Sequence, residues 1–195
     1  PEYRRQRQMC IRDSSPASGP IVVTGASGYI GAWIVRDCVE QGYDVRACVR
    51  DTRNASKTDH LLQLNGSRYR GNVTLLEADL FQPGSYDTAF NGAAAVIHAG
   101  ATVGFNRETP QEVYDGCFKE NAHVIESVKK SGSVSRFVFT SSFAAVGHPR
   151  SEGYVFTEKD WCGDNVAAYK GRWSEEQIPL NRDICLLYTS PSPRD

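Results

Sequence analysis

Three glycines at intervals of three, Gly25, Gly28 and Gly31, lie inside the run VVTGASGYIG at 22–31. The chemistry open to such a run is anion binding. Gly25 would let the chain leave a strand in a tight turn. Gly28, with no Cβ, would admit a pyrophosphate close to the backbone, and Gly31 would let a helix pack tightly on the strand. Free N–H groups of the first helical turn, where Ser27, Tyr29 and Ile30 lie, would hold the phosphates with help from the helix dipole. A glycine-rich turn without a ligand is the competing reading. It loses ground because an apolar β-branched run precedes the turn and helical spacing follows it, at Ile30, Trp33, Ile34 and Cys38.

Further candidates stand behind later strands. Arg50 directly follows a strand expected over Asp44–Val49. An acidic residue there would accept hydrogen bonds from ribose hydroxyls and favour NAD, whereas an arginine can grip the 2′-phosphate of NADP with two hydrogen bonds. Lys57 adds a second cation nearby, Asp51 mixes the signal, and either cation alone reads as an ordinary solvated charge. Asp79 and Leu80 follow a strand over Val73–Glu77. Asp79 could contact an adenine, although aspartate after a strand also commonly forms turns. Ala99 and Ala101 flank Gly100 after a strand over Ala94–His98, small enough either to let a cofactor pass or simply to pack. Ser141 and Ser142 close a strand over Arg136–Thr140. His98 reads as a satisfied core residue rather than a catalyst.

The elements that must position these residues alternate regularly. Helices are expected over Tyr29–Gln41, ended by Gly42, over Ser56–Leu64, Tyr86–Phe90 and Pro110–Lys130. Five strands with intervening helices imply right-handed crossovers and an α/β, doubly wound parallel sheet, a Rossmann fold ordered 3-2-1-4-5. The glycine turn, Arg50, Asp79, Ala99 to Ala101 and Ser141-Ser142 then fall on one edge, outside the carboxyl ends of the strands, where such sheets bind ligands.

Composition excludes several function classes. The 195 residues carry a formal net charge of −1, which gives no argument for a nucleic acid or membrane partner. No apolar run approaches the ~20 residues needed to span a bilayer, and the polar, basic N-terminus has no apolar signal region. The six cysteines and four histidines form no metal-ligand spacing. The cysteines read as free thiols in a reducing, cytoplasmic setting, with no metal site.

Taken together, TGASGYIG at 24–31, VRACVRD at 45–51, ADL at 78–80 and FVFTSS at 137–142 resemble the extended short-chain dehydrogenase/reductases of the NAD-dependent epimerase/dehydratase superfamily. Within these they are similar to the dihydroflavonol 4-reductase and cinnamoyl-CoA reductase branch, whose acidic-Trp segment TEKDW at 157–161 looks like. The resemblance covers about Pro20 to Trp161. It implies an NADP-dependent reductase acting on a small-molecule carbonyl (ketone, aldehyde or acyl-thioester). It also implies that Ser142 hydrogen-bonds the substrate carbonyl, that NADPH supplies the hydride, and that Arg50 and Lys57 contact the 2′-phosphate. A tyrosine with a lysine four residues later would complete the mechanism.

No Tyr-x-x-x-Lys occurs in the chain: Tyr169 is followed four places on by Trp173, and Tyr188 by Ser192. Residues 1–14 and 184–195 resemble translated adaptor sequence, so 15–183 is expected to be an incomplete NADP-binding Rossmann domain, cut before its proton donor and substrate domain and inactive as it stands. Two other accounts remain open: a non-catalytic NADP-binding sensor or scaffold, and a nucleotide-sugar epimerase or dehydratase on the same scaffold.

Overall fold

Ile-Val-Val-Thr at 21–24 forms the central strand, β1 (Ile21–Thr24), in the computed structural model, which describes residues 19–66, 68–101, 110–141, 152–157 and 160. It pairs in parallel with β2 (Val45–Val49) on one side and β4 (Ala95–His98) on the other. With β3 (Val73–Glu77) and β5 (Arg136–Phe139) the sheet is five-stranded, ordered β3-β2-β1-β4-β5, the 3-2-1-4-5 arrangement expected from the sequence. The connecting helices are α1 (Tyr29–Glu40), α2 (Ala55–Leu62), the short α3 (Asp87–Phe90) and α4 (Pro110–Ser131). The segment expected to be a leader over 1–14, the tail over 184–195, and Ser142 lie outside the described residues.

Why β1 is central follows from its two adjacent valines. Successive side chains of a strand point to opposite faces, so Val22 and Val23 enter different cores, and neither is accessible to solvent. Val23 packs with Val35 and Val39 of α1, Ala47 and Val49 of β2, and Leu61 of α2. Val22 packs with Cys48, Phe90, Val96 and Val124 on the face covered by α3 and α4. A strand apolar on both faces is stable only between two helical layers.

Helix α1 turns inward only part of the stripe its apolar spacing suggests: Cys38 is buried and Ile34 packs against the core. Gly31, Val35, Cys38 and Val39 are buried, while Ile30 and Trp33 are more than half exposed. The reason is the turn itself. A Cβ on Gly31 would stand 2.2 Å from the carbonyl oxygen of Gly25 and 2.9 Å from Cα of Ala26. The helix must therefore present Gly31 to the turn, and this sets its rotation one residue away from Ile30 and Trp33. Arg36 then lies over the Trp33 ring, 5.0 Å from its centroid. At the far end Gly42 adopts φ +96°. Its N–H donates to the Val39 carbonyl at 3.1 Å, and that of Tyr43 to the Cys38 carbonyl at 3.1 Å. This is the Schellman arrangement that stops a helix at a glycine.

One charge inside the sheet has a structural partner. Arg46 of β2 donates through Nη1 to the carbonyls of Ala89 (2.8 Å) and Asn91 (2.6 Å), at the C-terminal end of α3 where free carbonyls gather. Asp87, at the start of α3, accepts from Ser127 Oγ at 2.7 Å and pairs with Lys130, joining α3 to α4.

Replacing Gly31 with alanine pushes a methyl group into backbone that cannot yield. The variant is expected to lose roughly 2 kcal/mol or more of stability, read from the urea midpoint. An unchanged midpoint would show that α1 does not depend on this close approach.

Candidate functional site

The carboxyl ends of β1 to β4 open onto a single cleft of about 340 Å³. Eight of the residues singled out from sequence line it. Gly25, Ser27 and Gly28 come from the turn after β1, Arg50 from the end of β2, Asp79 and Leu80 from beyond β3, and Ala99 and Ala101 from beyond β4. Tyr29, Ile30, Gly31 and Lys57 are not among the wall residues. Tyr29 is 84% exposed at the start of α1, Lys57 is exposed on α2, and Gly31 supports the turn from behind. Cys48, Val49, Ala78, Phe81, Tyr86 and Gly100 complete the lining without having been singled out. Val49, Ala78, Phe81 and Gly100 are immediate neighbours of residues that were, and Cys48 lies two before Arg50, so the strand-end rule that found the others could have reached them. Tyr86 carries no such signal.

The turn is built around bare backbone. Gly25 has φ +64°, and a Cβ there would meet Cα of Gly100 at 2.6 Å. Gly28 is the N-cap of α1, so no side chain closes that helix end, and no acidic residue lies in its first turn. The N–H of Gly28 is used locally, by the Gly25 carbonyl at 3.0 Å. Those of Ser27, Tyr29, Ile30 and Gly31 meet no acceptor among the described residues. Helix N-termini are ordinarily satisfied by a cap, water or a ligand. A cradle of unpaired N–H groups beside a cleft, with no Cβ in the way, fits the diphosphate of a dinucleotide.

At the end of β2 the charges separate. Asp51 accepts from the Arg53 backbone N–H at 2.9 Å and from its Nε at 3.2 Å, which holds its carboxyl below the usual carboxylate range. Arg50 lines the cleft and has no ion-pair partner among the described residues. The acidic neighbour that made the sequence ambiguous is thus occupied by the next arginine.

The loop after β3 is fixed from three sides. Asp79 Oδ1 accepts the Phe81 N–H at 3.0 Å, the turn-forming role weighed for it from sequence, while the residue also lines the cleft. Ser85 Oγ donates to the Asp79 carbonyl at 2.6 Å and accepts its N–H at 3.1 Å. His123 Nδ1 of α4 hydrogen-bonds the Leu80 carbonyl at 2.9 Å.

His98 is core, and it organises the wall. It is 2% exposed, and its Nδ1 lies 2.6 Å from Thr24 Oγ1. The same hydroxyl accepts the Gly100 N–H at 3.2 Å, so it ties the ends of β1 and β4 to the loop facing Gly25. The ring stacks on Phe137 at 6.2 Å and leans on Phe139 at 5.2 Å. Burial pushes its pKa down to about 4, and a hydrogen bond with Asn121 offsets only part of that. The imidazole is therefore neutral at pH 7, sharing one hydrogen bond between Nδ1 and the Thr24 hydroxyl.

With this geometry in view, the comparisons with known proteins decide the family. Residues 21–169 match the model of the NAD dependent epimerase/dehydratase family. The chain belongs to that family. A cinnamoyl-CoA reductase of Medicago truncatula is 39% identical over 165 residues, 80% of this chain and 50% of the relative. A dihydroflavonol 4-reductase of Arabidopsis thaliana is 40% identical over 142 residues, 72% of this chain and 37% of the relative. The epimerase/dehydratase-family chain thus spans half or less of these curated relatives. Among solved structures, vestitone reductase from alfalfa has a TM-score of 0.65 at 23% identity, covering 87% of this chain and 51% of its own. Gre2 of Candida albicans with NADPH has a TM-score of 0.64 at 23% identity, covering 86% and 49%. At such identities the structures speak for the fold.

Burial of His98 gives this family member a distinct pH response. Unfolded chains take up the imidazole proton near pH 6.5, whereas the folded chain resists it until about pH 4. Between these values the unfolded state holds more protons, so the contribution is complete above pH 6.5 and is lost as pH falls toward 4. The expected loss is about 3 kcal/mol. Urea unfolding across this window should show a steeper decline in the native chain than in His98→Gln; equal slopes would remove His98 as the cause.

Proposed function

We propose that the protein is an NADP-dependent oxidoreductase that reduces a carbonyl of a small organic substrate, and that these 195 residues carry its cofactor-binding part. The observation that carries this reading is the uncapped start of α1 at Gly28, opening on a cleft that also takes in Arg50, which has no ion-pair partner among the described residues. The unpaired N–H groups suit the pyrophosphate. Arg50, with Lys57 on α2, suits a 2′-phosphate, since Asp51 is held by Arg53 and is poorly placed to compete. Asp79 and Leu80 suit the adenine end, and Ala99 and Ala101 the passage of the cofactor toward its nicotinamide. Bound NADPH would supply the hydride. Ser142 would hydrogen-bond the carbonyl oxygen of the substrate.

The curated relatives lend support. Their names are cinnamoyl-CoA reductase and dihydroflavonol 4-reductase, and the Gre2 structure holds NADPH. Because the chain has no Tyr-x-x-x-Lys, the proton donor is assigned to sequence that would follow Asn181-Arg182-Asp183. That same absence favours one second reading, a cofactor-binding protein that does no reduction. An intracellular, cytoplasmic setting and adaptor-derived ends at 1–14 and 184–195 belong to the proposal too. Among the described residues no helix is long and apolar enough to cross a membrane.

Two measurements test it. The purified chain should bind NADPH more tightly than NADH, and Arg50→Gln should weaken NADPH by roughly tenfold or more while leaving NADH nearly unchanged. Equal loss for both would refute the 2′-phosphate role. The same chain is expected to oxidise no NADPH with any aldehyde or ketone, and robust turnover would overturn the assignment of the proton donor to residues it lacks.

A further inference from the structure

Tyr86 is the wall residue that the cofactor reading leaves without a task. It sits one residue before α3, only 3% exposed, and lines the cleft beside Cys48, Ala78 and Asp79. Its ring packs on Phe90 at a centroid distance of 5.4 Å. Ser85, its neighbour, is clamped to both the N–H and the carbonyl of Asp79, so the backbone that carries Tyr86 is held against the loop after β3. The hydroxyl, however, makes no hydrogen bond to any protein group among the described residues. Buried hydroxyls are ordinarily paired, because one left unpaired keeps its full desolvation cost.

Tyr86 also stays protonated. Burial, together with the Cys48, Asp79 and Glu120 groups around it, pushes the phenol well above the ordinary tyrosine range. It is therefore a standing hydrogen-bond donor in an apolar wall, next to a carboxylate that can only accept. An adenine base presents both complements on one flat ring: an amino group that donates and ring nitrogens that accept.

We propose that the Tyr86 hydroxyl is a positioning group for the cofactor, donating a hydrogen bond to a ring nitrogen of the adenine while the Asp79 side faces the exocyclic amino group. The proposal rests on the dinucleotide reading of the cleft and names its adenine-specific contact. It predicts opposite effects on the empty and the occupied protein. Removing the hydroxyl relieves an unpaired buried group in the empty chain and deprives the bound cofactor of a partner.

The test is Tyr86→Phe in the full 195-residue chain, read with three probes: NADPH, adenosine 2′,5′-bisphosphate and reduced nicotinamide mononucleotide. Affinity for NADPH and for adenosine 2′,5′-bisphosphate should fall roughly fivefold, affinity for the mononucleotide should not change, and the melting temperature without ligand should hold or rise. Unchanged affinity for the bisphosphate, or equal weakening of the adenine-free probe, would overturn the proposal, as would a lower melting temperature without ligand. Failure of the native chain to bind NADPH at all would instead overturn the dinucleotide reading beneath it.

Discussion

The approach of α1 to the turn after β1, backbone against backbone at Gly31 and Gly25, constrains everything else in the structure. No side chain can occupy that space, since a Cβ on Gly31 would come within 2.2 Å of a carbonyl oxygen. The contact sets the rotation of α1, and so decides that Val35, Cys38 and Val39 meet the sheet while Ile30 and Trp33 face away. It also brings the start of the helix directly over the end of β1. The opposite wall is equally close, with Gly25 seated against Gly100 and the Thr24 hydroxyl joining Gly100 to His98. Glycine is required because the walls are made of backbone, and backbone walls leave N–H groups available to an anion.

Electrostatically, the site is a set of groups kept from satisfying one another. The helix start has no cap of its own. Asp51, which might have neutralised Arg50, is spent on Arg53. His98 is denied a proton by burial, so it adds no charge beside the cleft. The acidic side chain beyond β3, Asp79, gives one oxygen to the Phe81 N–H and also lines the cleft. The uncapped helix start leaves N–H groups, and the Asp51–Arg53 contact leaves the Arg50 guanidinium, each suited to an anion. The chain spans half or less of the length of these curated relatives.

The order and type of the elements were legible without coordinates because they depend on local rules. β-Branched runs end at glycine turns, apolar residues recur at helical spacing, and Gly42 stops α1, all short-range effects of sterics and periodicity. From that alternation the sheet order follows, and with it the edge on which Gly25, Ser27, Gly28, Arg50, Asp79, Leu80, Ala99 and Ala101 had to meet. What the tertiary structure alone decided is which atoms remain free once the chain is packed. Periodicity placed Ile34 and Cys38 inward but could not say that Ile30 and Trp33 turn outward; the close approach at Gly31 sets that. Nothing local in RDTR at 50–53 says that Asp51 turns to Arg53 and leaves Arg50 to the cleft. Nothing local at Tyr86 says that an aromatic residue at the start of a short helix reaches the cleft wall with its hydroxyl unpaired among the described residues. Partnering of polar groups depends on distances between residues far apart in sequence, and only the folded chain sets those.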